Sequence, residues 1–215
     1  MTYLQIVNAV LSRLREDVVT SVNGNDDVVV ALVKEFVLDA IKTVQDAHTW
    51  TALAEEWEFT TSVGNDSITL TDSARSPIMS YIYNGEGVKL QQINKEEFRR
   101  RALRSTSNGT PQYYIIDSTD ASGNLKLRVW PSPAEADTYY VYGYQRQTPP
   151  SSDTDVVLVP STPVIYLAHA MSVTERGETG GQTAAELMTL AKRYLEDEIA
   201  KDATNSDVDN IWYQV

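Results

Sequence analysis

The spacing of apolar side chains changes twice along this 215-residue chain. It is helical up to about residue 50, alternating from 51 to 150, and helical again after that. A helix buries a stripe of period 3.6 and a strand buries every second side chain, so the two patterns belong to different layers. The order helices, strands, helices predicts an α+β fold. Both chain ends (1–50 and 151–204) form a helical bundle, an antiparallel, sandwich-like β domain (51–150) is inserted between them, and residues 205–215 form an extended C-terminal tail.

Local signals mark the elements. Thr2 and Gln5 have capping-box spacing ahead of Leu4, Val7, Leu11 and Leu14, which predicts a helix ending near Glu16. Asn25, Asp26 and Asp27 cap a second helix to about Thr49, with a stripe of Val29, Leu32, Val33, Phe36, Val37, Ala40, Ile41 and Val44. Residues 148–152 (TPPSS) read as a linker. Pro160 and Pro163 open a third helix that stops before Gly177. Thr183 and Glu186 form a capping box for a fourth, with Leu187, Leu190, Tyr194, Leu195 and Ile199 on one face.

In the middle, Trp57, Phe59 and Thr61 alternate with charged and polar residues. A turn at Gly64-Asn65-Asp66 predicts a hairpin to residues 67–70. Asn84-Gly85 predicts a second turn, from 78–83 into 88–93. Residues 110–133, TPQYYIIDSTDASGNLKLRVWPSP, carry the strongest hairpin signal, two β-rich runs around Ser122-Gly123-Asn124. Asn94-Lys95-Glu96-Glu97 can cap a short helix through Arg104, and a last strand spans 138–146.

Charge and motifs narrow the function. The formal charge is −12, and residues 151–215 hold 11 acidic against 4 basic side chains, whereas 51–150 are near balance at 12 and 10. Such a surface suits a protein that lets DNA pass without holding it. The chain has no Cys, which excludes disulfides and a thiolate nucleophile and fits synthesis in a cytosol. No run approaches the roughly 20 apolar residues of a membrane span, and no secretory signal is recognisable at the N-terminus. The two His, His48 and His169, lack metal-ligand spacing. No nucleophile elbow, phosphate loop, zinc-protease or dinucleotide motif occurs. Glu55, Glu56 and Glu58 read as a solvated sheet face and His48 as a helix-end residue. No catalytic residue, metal or cofactor is expected.

Three features point to interaction. Residues 95–104 (KEEFRRRALR) are either a solvated helix with internal ion pairs or a basic edge that meets an acidic neighbouring subunit or faces DNA, the subunit contact being favoured because the remaining surface is acidic. Lys95, Arg99, Arg100, Arg101 and Arg104 are the interface candidates, with Phe98 and Leu103 pinning the helix to the sheet. The β region is rich in Tyr, and alternation places Tyr140, Tyr142 and Tyr144 on one face; most of these rings read as core and the others as an interface, and no motif supports a stacking platform for sugars or single strands. Ile211, Trp212 and Tyr213 end the polar tail and either fold back on the bundle or dock into a partner.

Several segments together resemble the head-to-tail adaptor (connector) proteins of tailed bacteriophages. They are residues 4–17 (LQIVNAVLSRLRED), 46–50 (DAHTW), 57–59 (WEF) and 90–100 (LQQINKEEFRR), followed by 109–117 (GTPQYYIID), 127–133 (LRVWPSP) and 142–146 (YGYQR). The resemblance implies a homo-oligomeric ring, a dodecamer, at the head–tail junction of the virion. The portal protein lies above it, a downstream tail or nozzle protein below it, and genome DNA passes through the lumen without sequence-specific binding. It carries over no catalytic residue. Ile211, Trp212 and Tyr213 are then candidates for docking to the portal. The competing reading is a carbohydrate- or surface-binding module of a tail-associated protein.

Overall fold

The computed structural model describes residues 1–75, 77–104, 108–177 and 182–206. The chain forms two compact units, one from Met1–Leu53 with the described residues from Gln147 onward, the other from Ala54–Arg146.

The first unit is helical. Its helices are α1 (Tyr3–Arg13), α2 (Val28–Ala47), α4 (Ser161–Arg176) and α5 (Gln182–Ser206), with a short 3-10 turn at Thr51–Leu53. The capping box at Thr2 is present, its hydroxyl accepting from the Gln5 N–H and the Gln5 side chain returning to Thr2 N. Asp27 caps α2 by accepting from the Val29 N–H at 2.7 Å. α4 stops where Gly177 takes a left-handed φ of 64°. α5 begins at Gln182, which places Thr183 inside its first turn rather than ahead of it. It also continues to Ser206, beyond residue 204.

Two details of this unit differ from expectation. On α2 the buried stripe is Val30, Val33, Val37, Ala40, Ile41 and Val44, while Leu32 stays 36% exposed. The stripe is rotated because α1 and α4, not the width of the apolar face, decide which edge is covered. Residues 148–152 are no loose linker. Asp153 accepts from Ser21 Oγ at 2.5 Å and Val22 N at 2.9 Å, and Asn23 donates to the Ser151 carbonyl at 2.8 Å. Beyond them, Tyr3 N donates to Asp155 O and Val157 N to Met1 O, pairing the N-terminus with the re-entering chain.

The second unit is mainly β. Its long strands are β1 (Ala54–Thr60), β3 (Ile78–Asn84), β6 (Tyr113–Thr119), β7 (Leu125–Trp130) and β9 (Thr138–Tyr144). Shorter ones are β2 (Ser67–Thr69), β4 (Gln91–Gln92), β5 (Asn108–Gly109) and β8 (Ser132–Pro133), and α3 spans Lys95–Arg104. The sheets run β1-β9-β3, β2-β7-β6-β4 and β5-β8. All the longer ladders are antiparallel, whereas β4–β6 and β5–β8 are parallel. One core joins the two larger sheets: Trp57, Phe59, Ile82, Tyr139 and Val141 face Ile68, Tyr114, Leu127 and Val129.

The 110–133 hairpin forms as β6 and β7, closed by Asp120, which accepts from the N–H groups of Ser122 and Asn124 at 2.8 Å each. Gly123 supplies the positive φ of the turn, 88°. The hairpin expected between 57–61 and 67–70 does not form. β1 pairs with β9, and β2 pairs with β7 in the other sheet. The Thr61 N–H donates to Asp137 O at 2.8 Å, so the segment leaving β1 is fastened beside β9 instead of folding back. The Asn84 turn is present and leads into a short antiparallel pairing, with the Tyr83–Lys89 bridge and bonds from Asn84 N to Val88 O at 3.0 Å and from Leu90 N to Ile82 O at 2.9 Å, after which β4 leaves to join β6.

Candidate functional site

α3 is fastened by three contacts. Asn94 Oδ1 accepts from the Glu97 N–H at 2.7 Å and caps its first turn. Phe98 is 2% exposed, with the Arg128 guanidinium 5.0 Å from its ring centroid. Arg101 turns inward, pairs with Glu97 at 2.6 Å and lies 4.2 Å over the Tyr113 ring and 5.5 Å over Trp130. The hydrogen bond that Arg101 donates to Glu97 is the main cause that raises its pKa.

The five basic candidates therefore divide. Arg101 belongs to the anchor, and Lys95 lies 3.7 Å from Asp117 Oδ1. Arg99, Arg100 and Arg104 are exposed and have no ion pair among the described residues. Leu103, expected to pin the helix, is 79% exposed, because Phe98 alone sets the rotation of α3. Ile211, Trp212 and Tyr213 lie outside the described residues.

The tyrosines also divide. Tyr139 and Tyr114 are core residues, and Tyr113 and Trp130 lie under Arg101. Tyr81, Tyr83, Tyr140, Tyr142 and Tyr144 are at least partly exposed on the three-stranded sheet. The sequence showed the alternation that groups Tyr140, Tyr142 and Tyr144. It held no signal that Tyr81 and Tyr83 would join them, because that depends on β3 pairing with β9.

The chemistry expected of an enzyme has little support. His48 Nε2 lies 3.1 Å from Asp202 Oδ2, and the ring meets Trp50 edge-on at 5.1 Å, so it joins the end of α2 to α5. His169 has its pKa lowered, first by burial and then by Arg13, and its buried Nδ1 has no hydrogen-bond partner among the described residues. Glu55 pairs with Arg75 at 3.2 Å, while Glu56 and Glu58 are exposed. A cleft of about 350 Å³ beside Glu86, Glu135, Asp137 and Tyr139 contains no basic group in its lining. Burial, then Asp137, pushes the Tyr139 hydroxyl up to about 12. Among the described residues no group of three or more His, Asp or Glu is placed to hold a metal, and no helix is long and apolar enough to cross a membrane.

The model of the SU10 adaptor protein family matches residues 1–211. The chain belongs to this family. SU10 adaptors are phage head–tail adaptors, so this adaptor is a structural component of a bacteriophage virion that works against other head and tail proteins. No curated protein matches the adaptor. Family membership implies a structural rather than a catalytic role.

Proposed function

We propose that the adaptor assembles as a ring of identical subunits, a dodecamer, beneath the portal. There it seals the portal, extends the DNA channel and offers a platform to a downstream tail or nozzle protein. The observation that carries this reading is the exposed face of Arg99, Arg100 and Arg104 on a helix held rigidly by Asn94, Phe98 and Arg101. On a protein of formal charge −12, such a face is a natural partner for acidic surface on another copy. The acidic remainder favours passage of DNA over retention, because like charge repels the phosphate backbone. Lys95 flanks this face, and Arg101 holds the helix from its inner side. Ile211, Trp212 and Tyr213 dock to the portal.

Native mass spectrometry of the full-length chain, alone and with the portal of the same phage, tests the ring. A closed assembly of about twelve copies is expected. A monomer or trimer that ignores the portal and binds glycans instead would overturn the proposal. Removal of residues 207–215 should weaken portal attachment; unchanged attachment removes the tail from the mechanism.

A further inference from the structure

The β unit is layered, and its two outer sides differ in chemistry. α3 covers the outside of the four-stranded sheet, where Phe98 and Ile115 are buried and Arg101 lies over Tyr113. The two sheets share the core between them. The other outer side belongs to the three-stranded sheet, because Trp57, Phe59 and Val141 point inward and their neighbours in sequence point out.

That second side is a continuous aromatic surface with an acidic border. Tyr81 stacks on Tyr142 with centroids 5.0 Å apart and planes 9° apart, and meets Tyr83 edge-on at 5.2 Å. Tyr142 meets Tyr144 edge-on at 6.0 Å, and Tyr140 is 40% exposed. On the neighbouring β1, register sets Glu56 beside Tyr142 and Glu58 beside Tyr140. Both glutamates are exposed and have no ion pair among the described residues. The Lys89 ammonium lies 5.5 Å over the Tyr81 ring, so these rings already take one cation.

Ring faces bordered by carboxylates suit guanidinium groups, which stack on the rings and bond to the carboxylates through a planar fork. α3 presents three guanidiniums, with helical spacing placing Leu103 next to Arg99 and Arg100. We propose that the tyrosine and glutamate face of the three-stranded sheet receives α3 of a neighbouring copy, with Arg99, Arg100 and Arg104 reaching Glu56 and Glu58 and Leu103 meeting the rings. This rests on the ring reading above and names the surface that the basic face meets. The two surfaces lie on opposite sides of one unit, so a single partner cannot engage both. The contact is therefore head-to-tail, the kind that closes into a ring, and not a two-fold dimer.

Two full-length variants test the pairing by native mass spectrometry. One carries Arg100→Glu and Arg104→Glu, the other Glu56→Lys and Glu58→Lys. Each alone should lose the ring at a concentration where the wild type is assembled, because like charges then face each other across every contact. An equimolar mixture should recover a ring holding both chains in equal number, since each reversed surface again finds its opposite. A mixture that stays unassembled overturns the pairing, as does a glutamate variant that assembles alone like the wild type. The milder Glu56→Gln, Glu58→Gln chain should need about three- to tenfold more protein to assemble. Unchanged assembly of that chain overturns the proposal whatever the reversals do. Intact rings of the arginine variant with weakened portal attachment assign the arginines to the portal and also overturn it. A wild-type chain that forms no ring, alone or on the portal, removes the ring reading itself; wild-type rings indifferent to every substitution remove this interface alone.

Discussion

A methyl group on Gly143 would clash with the Ile78 carbonyl oxygen and press on Trp57 Cζ3 at 3.1 Å and Met79 Cα at 3.2 Å. β9 runs between β1 and β3, so neither neighbour can retreat without breaking a ladder. Gly143→Ala should cost about 1–3 kcal/mol, read as a lower denaturant midpoint. An unchanged midpoint would mean that β3 yields freely. Asp153 acts at the same scale in the other unit. Its carboxylate is held below the ordinary aspartate range, first by the Ser21 hydroxyl and then by the Val22 N–H. Because the folded state depresses this pKa, the unfolded chain binds the proton more readily. The stabilisation is complete above the ordinary aspartate value of about 4 and is lost as pH falls through the lower, folded value. Asp153→Asn should therefore lower the urea midpoint at pH 7, and its gap from wild type should narrow below about pH 4. A gap independent of pH would show that the charge plays no part.

At the scale of an element, α3 illustrates how one buried side chain orients a charged helix. Its sequence is too polar to bury a face, and Phe98 is its one buried residue. Phe98→Ala should cost about 3–5 kcal/mol, since it leaves a void against the sheet and loosens Arg128 and Arg101 above it. Leu103→Ser, on the exposed side, should leave folding stability within about 0.5 kcal/mol of wild type. Chemical denaturation of the two variants compares them directly. Equal losses would mean that α3 is not oriented by Phe98.

At the scale of the molecule, β1 and β9 are the first and last long strands of their unit and pair along their full length, from Ala54 opposite Tyr144 to Thr60 opposite Thr138. The chain thus enters and leaves the unit at neighbouring points, the arrangement an inserted domain needs. The unit has a core of its own, whereas α1 and α2 complete theirs only with α4 and α5. A fragment of residues 54–146 should fold and melt cooperatively by circular dichroism, and residues 1–53 alone should not. An unfolded 54–146 fragment would show that the β unit depends on the helices.

What the sequence determined by itself is whatever is settled within a few residues. The caps at Thr2 and Asp27, the stop at Gly177 and the β6–β7 hairpin follow from hydrogen-bonding side chains and backbone sterics acting locally. Alternation likewise sorted Trp57 and Phe59 from Glu56 and Glu58. Of the candidate site, the basic composition of residues 95–104 was legible, but not which cations stay free. Tertiary structure decided that by burying Phe98, which turned Arg101 onto Tyr113 and left Arg99, Arg100 and Arg104 outward. It also paired β3 with β9, which assembled the five-tyrosine face from strands far apart in the chain, and paired β1 with β9 rather than β2, which set Glu56 and Glu58 beside that face. Such pairings depend on which faces can share a core, a property of the whole unit that no local run of residues encodes.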